Sequence, residues 1–128
     1  MATVILVRHG RTTANATGLL AGRAVGVSLD QVGREQAALT ADRLAAVPVV
    51  GVVSSPLERC RETAQLILAR QAGTPYAPVD MDITECDYGK WQGRLLRDLA
   101  TEDLWPVVQT QPSAVVFPGG ESMAAMQA

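Results

Sequence analysis

The 128-residue chain contains a single histidine, His9, and it lies between Arg8 and Gly10. An imidazole nitrogen can attack a phosphorus atom, and an arginine can hold two oxygens of a phosphoryl group. Two further residues complete a set for phosphoryl transfer, because Arg59 supplies a second positive charge and Glu85 a proton for the leaving oxygen. Taken singly, each of these residues is more often structural or simply solvated. The functional interpretation therefore depends on whether the fold brings them together.

The hydrophobic pattern predicts three short buried strands, at residues 3–7, 49–53 and 79–83. Segments with helical periodicity separate them. This alternation predicts an α/β fold with three α/β/α layers, a largely parallel sheet and right-handed crossovers. Ligands of such sheets bind beyond the carboxyl ends of the strands. His9, Arg59 and Glu85 each follow one predicted strand, so we expect them to converge on one cleft.

Several local signals predict where the helices begin and end. Asp30 can cap a helix that runs to about Val47. A second helix is predicted to start at Ser55, with Pro56 in its first turn and Glu58 three residues after the cap. The apolar faces are predicted as Val32, Ala37, Ala41 and Leu44 for the first helix and as Leu57, Cys60, Ala64 and Ile67 for the second. Further segments with helical periodicity begin near Leu95 and Glu121. Three segments are predicted as loops: residues 10–29, 85–93 and 111–120.

Composition and charge exclude several classes of protein. The net charge of −2 offers no broad basic field for nucleic acid. No apolar run approaches the roughly 20 residues that a membrane span needs, and the N-terminus lacks a signal-peptide pattern. Cys60 and Cys86 have no partners at metal-ligand spacing, so we expect free thiols in a reducing cytoplasm, no metal site and no cofactor.

Four segments resemble motifs of the histidine phosphatase superfamily, the phosphoglycerate mutase-like group. They are RHGRTTAN at 8–15, SSPLERCRETA at 54–64, ECDYGKWQG at 85–93 and FPGGES at 117–122. The segments occur in order and cover nearly the whole chain. An RHG tripeptide alone is a weak signal, whereas four ordered motifs are a specific one. The resemblance implies the phosphoglycerate mutase-like fold.

The resemblance also implies roles for individual residues. His9 matches the histidine that becomes transiently phosphorylated, and Arg8 and Arg59 match the arginines of the phosphate pocket. Glu85 matches the proton donor of many members. Four more positions match substrate-binding or pocket residues of the family: Thr12, Asn15, Gly22 and Tyr88. Arg11 departs from the pattern, since many relatives have glutamate there, and this change either alters substrate preference or leaves a solvated side chain.

A second departure is the absence of the family's second catalytic histidine, which follows another central strand beyond the GGES segment. In the family that strand lies beside the first one. We therefore expect residues 1–128 to be one incomplete histidine phosphatase-like domain that lacks its C-terminal portion. A gap beside residues 3–7, or a strand from another chain filling it, is the structural consequence of this expectation.

The leading functional hypothesis is a phosphatase that hydrolyses a small phosphorylated metabolite through a phosphohistidine on His9. The first alternative is a phosphomutase, in which a second substrate hydroxyl replaces water as the acceptor. An alternative of another class is an inactive fragment or a module that only binds a phosphate ligand. The sequence leaves open the substrate and the formation of a homo-oligomer.

Overall fold

The computed structural model describes residues 1–128, which divide into two compact units. The first unit comprises Met1–Thr12 and Ser28–Ile83, and the second unit comprises Thr13–Val27 and Thr84–Ala128. Six α-helices occur along the chain: α1 Thr13–Thr17, α2 Gln31–Leu44, α3 Glu58–Leu68, α4 Leu96–Leu99, α5 Trp105–Thr110 and α6 Met123–Gln127. Three single 3₁₀ turns occur at Met81–Ile83, Gly89–Trp91 and Pro112–Ala114. None of the helices is long and apolar enough to cross a membrane.

Helix α2 of the first unit begins as predicted and ends earlier. The Asp30 carboxylate accepts the backbone N–H of Gly33 at 2.7 Å, which confirms the cap. The helix ends at Leu44, three residues before the predicted Val47. Its buried face consists of Gly33, Ala37 and Ala41, spaced four residues apart. Val32 lies beside this face and remains 39% exposed, so its predicted place in the core is wrong.

Helix α3 begins at Glu58, and the predicted cap at Ser55 is wrong. The Ser55 hydroxyl instead accepts the backbone N–H of Leu57 at 3.3 Å, a local turn that competes with helix initiation. The buried face of α3 also differs from the prediction, because it carries Arg59, Thr63 and Ile67. Helices α2 and α3 pack against each other within the first unit.

A short parallel pairing joins residues 50–54 to residues 76–80 of the first unit. Four backbone hydrogen bonds of 2.8–3.1 Å form it, and bridges lie at Gly51–Tyr76 and Ser54–Val79. The predicted third strand at 79–83 is therefore displaced, because pairing starts at Tyr76. It ends near Asp80, whose carboxylate accepts the N–H of Asp82 and turns the chain into a 3₁₀ turn. The fold is α/β in class, although its β structure consists of isolated bridges.

Residues 3–7 form no β-ladder, and their predicted burial is wrong for this structure. Val4 is 79% exposed and Leu6 is 92% exposed. A strand needs a neighbour for its backbone groups, and none of the bridges involves these residues. A cleft of about 530 Å³ lies beside them, with Ile5 and Val7 on its lining together with Val52 and Ile67. That further chain fills this cleft remains a prediction.

The second unit encloses an apolar core of its own. Five residues are fully buried, and these are Cys86, Trp91, Leu99, Val115 and Phe117. The ring of Trp91 stacks on Trp105 with centroids 6.2 Å apart, and it meets Phe117 edge-on at 5.3 Å. The predicted continuous helix from Leu95 is broken into α4 and α5, because Pro106 fits only the first turn of a helix. Helix α1 was predicted as loop.

Candidate active site

The neighbour of His9 determines which tautomer of its imidazole is present. The Nδ1 atom lies 2.7 Å from the carbonyl oxygen of Gly10. A carbonyl can only accept a hydrogen bond, so Nδ1 carries the proton. In the neutral ring Nε2 then holds the lone pair. The His9 side chain is half-buried, and Nε2 is the ring nitrogen with nucleophilic character in the neutral form.

The backbone after His9 packs directly on the start of helix α2. A Cβ built on Gly10 would overlap the carbonyl oxygen of Gly33, and a Cβ on Gly33 would overlap the carbonyl oxygen of Arg11. The N–H of Arg11 donates to Gln36 Oε1 at 2.9 Å, and its carbonyl accepts the N–H of Asp30 at 3.0 Å. Two glycines therefore allow the backbone that follows the nucleophile to lie against α2.

Helix α3 also contacts residues 9–11, which we call the nucleophile loop after the role proposed below for His9. The buried N–H of Gly10 donates to Thr63 Oγ1 at 3.2 Å, and the Thr63 hydroxyl donates to the carbonyl oxygen of Arg59 at 2.9 Å. Arg59 itself is only 4% exposed. A buried guanidinium is rare unless it serves an anionic partner or ligand. Arg8, by contrast, is exposed.

Arg11, which departs from the family pattern, forms an ion pair with the helix cap. Its Nε lies 2.6 Å from Asp30 Oδ2, and 43% of the side chain remains exposed. The pKa of the Asp30 carboxyl lies below its usual 3.8, chiefly because it accepts the N–H of Gly33. Desolvation opposes this shift, and the hydrogen bond and charge of Arg11 add to it. Arg11 thus adds to the attachment of the loop to α2.

In the second unit, Glu85 lies among residues that fix its orientation. Its Oε1 atom accepts the backbone N–H of Cys86 at 2.9 Å and the phenol of Tyr88 at 3.1 Å. The Tyr88 ring meets Phe117 edge-on at 4.9 Å. Gly22, at a φ of 54°, faces this ring, and a Cβ there would lie 3.1 Å from it. The structure therefore brings together Gly22, Tyr88 and Glu85.

Arg23 is a neighbour of Glu85 that the sequence analysis did not identify. Its Nε donates to the carbonyl oxygen of Glu85 at 2.7 Å, and its Nη2 lies 2.9 Å from Glu121 Oε2. Burial, followed by the charges of Glu121 and Glu85, raises the pKa of the adjacent Cys86 thiol to about 11. Cys86 is therefore a protonated core residue at neutral pH and not a nucleophile.

The remaining predicted site residues differ in burial. Thr12 is buried in the first unit and pairs with Leu29 in an antiparallel bridge. Asn15 lies on α1 of the second unit and is exposed. No three His, Cys, Asp or Glu side chains gather as metal ligands in residues 1–128.

Gly33 and Thr63 are the contacts of the nucleophile loop that sequence reasoning missed. The sequence could have indicated Gly33, because glycine disfavours a helix and its presence inside one often has a packing reason. Thr63 lies four residues after Arg59 and therefore on the same helical face. Its link to Gly10 spans 53 residues and has no local signal.

The sequence profile of the histidine phosphatase superfamily (branch 1) matches residues 4–128. The chain therefore belongs to this superfamily. The resemblance drawn from the four motifs is confirmed.

Individual relatives agree with this assignment. The chain is 39% identical over 99 residues to the adenosylcobalamin/alpha-ribazole phosphatase of Salmonella typhimurium, covering 77% of this chain and 47% of that one. It is 33% identical over 122 residues to phosphoglycerate mutase-like protein 4 of Arabidopsis thaliana, covering 93% and 52%. The crystal structure of the alpha-ribazole phosphatase from Shigella flexneri superposes with a TM-score of 0.80 at 30% identity, covering 94% and 59%. The chain thus spans about half the length of these three relatives.

Proposed function

We propose that the protein is a phosphatase for a small phosphorylated metabolite and that it acts through a phosphohistidine on His9. The observation that carries this proposal is the hydrogen bond of 2.7 Å from His9 Nδ1 to the Gly10 carbonyl. It leaves the lone pair of the neutral ring on Nε2, and a ring nitrogen needs this lone pair to attack phosphorus. His9 is the only histidine in the chain, so no other imidazole of residues 1–128 can take this part.

Arg8 and Arg59 supply the positive charge that stabilises the oxygens of the transferring phosphoryl group. Phosphoryl transfer depends on such positioned charge more than on covalent chemistry. Burial of Arg59 supports its role, since a guanidinium shielded from water interacts more strongly with a bound anion. Both are arginines, which can hold two phosphate oxygens at once.

Glu85 supplies the proton to the leaving oxygen, and its two hydrogen bonds on Oε1 hold the carboxyl group in place. Tyr88 and Gly22 line its surroundings and contact the substrate. Thr12 and Asn15 complete the substrate-binding set by their family positions. No metal or cofactor is required in this proposal.

We prefer phosphatase to phosphomutase because the relatives from Salmonella typhimurium and Shigella flexneri are both named phosphatases. One relative of similar identity, at 33%, is named phosphoglycerate mutase-like, which keeps phosphomutase as the alternative. The two activities differ only in whether water or a substrate hydroxyl removes the phosphoryl group from His9.

We further propose that the complete protein contains additional chain with the family's second histidine. We also propose that it works in the cytoplasm, where its two free cysteines stay reduced.

The test is to trap the phosphoenzyme. The complete gene product is mixed rapidly with p-nitrophenyl phosphate labelled in its phosphate and quenched in alkali, where phosphohistidine survives. We expect a burst of nitrophenol, label on the His9 peptide, and subsequent release of inorganic phosphate. His9→Gln should abolish both burst and label. Label retained in this variant, or hydrolysis by wild type without any labelled protein, would contradict the proposal.

A further inference from the structure

One buried hydroxyl connects the nucleophile loop to the helix of the buried arginine. Thr63 is 4% exposed and lies on the inward face of α3, one turn after Arg59. Its Oγ1 accepts the N–H of Gly10 at 3.2 Å and donates to the Arg59 carbonyl at 2.9 Å. The backbone next to His9 and the backbone of Arg59 therefore both form a hydrogen bond with the same hydroxyl group.

The direction of both hydrogen bonds is fixed by their partners. A backbone N–H can only donate and a carbonyl can only accept, so the Thr63 hydroxyl must donate to Arg59 and accept from Gly10. A bond from threonine to the carbonyl four residues earlier is common in helices and by itself indicates nothing. Thr40 makes the same bond to Gln36 in α2. Only Thr63 adds the second bond, to a residue 53 positions away.

We propose that Thr63 is a positioning residue that sets the location of the His9 imidazole relative to Arg59. This inference rests on the proposed function, because it assumes that both side chains act on one phosphoryl group. The residue after His9 is held directly, because Gly10 donates to Thr63 and lies in close backbone contact with Gly33.

Removal of the hydroxyl has a defined consequence. In Thr63→Val the side chain keeps its shape, but the buried Gly10 N–H loses its acceptor. The loop then shifts towards another partner or towards water, and His9 moves with it. A displacement of about 1 Å between reacting groups can reduce a rate by about 100-fold.

The experiment measures the burst of nitrophenol release by the complete gene product with p-nitrophenyl phosphate. The burst amplitude counts competent active sites, whereas the burst rate constant reports the alignment of His9 with the phosphoryl group. We expect Thr63→Val to keep the wild-type amplitude and to reduce the rate constant by roughly 10- to 100-fold. Thr63→Ser, which keeps the hydroxyl, should restore most of the rate. Thr40→Val should match wild type, because the bond it removes does not involve the loop.

The alternative outcomes separate the two proposals. A Thr63→Val variant with the wild-type rate constant overturns the positioning role. A variant that loses amplitude but keeps the rate constant also overturns it, since Thr63 would then serve only stability. If wild type itself takes no label on His9, the proposed function fails and the positioning role fails with it.

Discussion

The two units bury their apolar side chains to different extents. The second unit encloses Trp91, Leu99 and Phe117 in a core closed by stacked and edge-on aromatic rings. The first unit buries the small residues between α2 and α3, yet leaves Val4 and Leu6 almost fully exposed. His9 lies in this more open unit. The next residue, Gly10, is held by a hydrogen bond to Thr63 and by close backbone contact with Gly33.

The largest expected effect comes from the second unit, on catalysis. Glu85→Gln should slow phosphorylation of the complete gene product by roughly 10²–10⁴-fold for an alkyl phosphate, the usual contribution of a general acid. The loss should be smaller for p-nitrophenyl phosphate, whose leaving group needs no proton. The measurement is the single-turnover rate with both substrates.

Glu102→Gln is the matched control in the same unit. Glu102 pairs with Arg94 at 2.8 Å near the surface, where an ion pair contributes little. This variant should behave as wild type. Equal losses for the good and the poor leaving group in Glu85→Gln would exclude Glu85 as the acid.

The difference in burial predicts different costs of truncation in the 128-residue chain. Phe117→Ala should lower the free energy of unfolding by about 3–5 kcal/mol, since it empties an enclosed site. Leu6→Ala should change it by less than about 0.5 kcal/mol, as expected for an exposed side chain. Denaturant titration measures both values. A large cost for Leu6→Ala in this chain would show that residues 3–7 are buried after all.

Features set by a few neighbouring residues could be predicted from the sequence, whereas features that depend on distant segments could not. The Asp30 cap was predictable because a cap is a local signal within four residues. The strand at 3–7 was predicted from its β-branched run, but a strand exists only with a partner, and no local pattern states whether a partner is present. The contacts that hold His9 could not be predicted, since the Gly10–Thr63 bond joins distant segments. Family resemblance identified Gly22, Tyr88 and Glu85 one by one, and no sequence pattern indicated that they lie together.

Gly33 tests the close contact of the loop with α2. Glycine to alanine inside a helix ordinarily stabilises it by about 1 kcal/mol. Here the new Cβ would overlap the Arg11 carbonyl, so Gly33→Ala should reduce both thermal stability and the phosphorylation rate. Gly73→Ala is the matched control, because its Cβ would meet no atom within 4 Å. A stabilised, fully active Gly33→Ala protein would contradict the contact.

The smallest expected effect is the acid dependence of the α2 cap. The pKa of Asp30 is lower in the folded chain than its usual 3.8, so its stabilising contribution is present above that pH and is lost as the pH falls through the lowered value. Asp30→Asn keeps a capping oxygen without the charge. Melting temperatures recorded through the acid range should fall less steeply for Asp30→Asn than for wild type. Parallel curves would show that the Asp30 carboxylate does not contribute to the acid dependence of stability.

In the proposed reaction the contact with Gly10 leaves Nε2 of His9 as the nucleophile. The most direct measurement identifies which ring nitrogen carries the phosphoryl group. The phosphoenzyme is trapped, digested in alkali and compared by chromatography with both phosphohistidine isomers. We expect the Nε2 isomer alone, and recovery of the Nδ1 isomer would contradict the proposed role of Nε2.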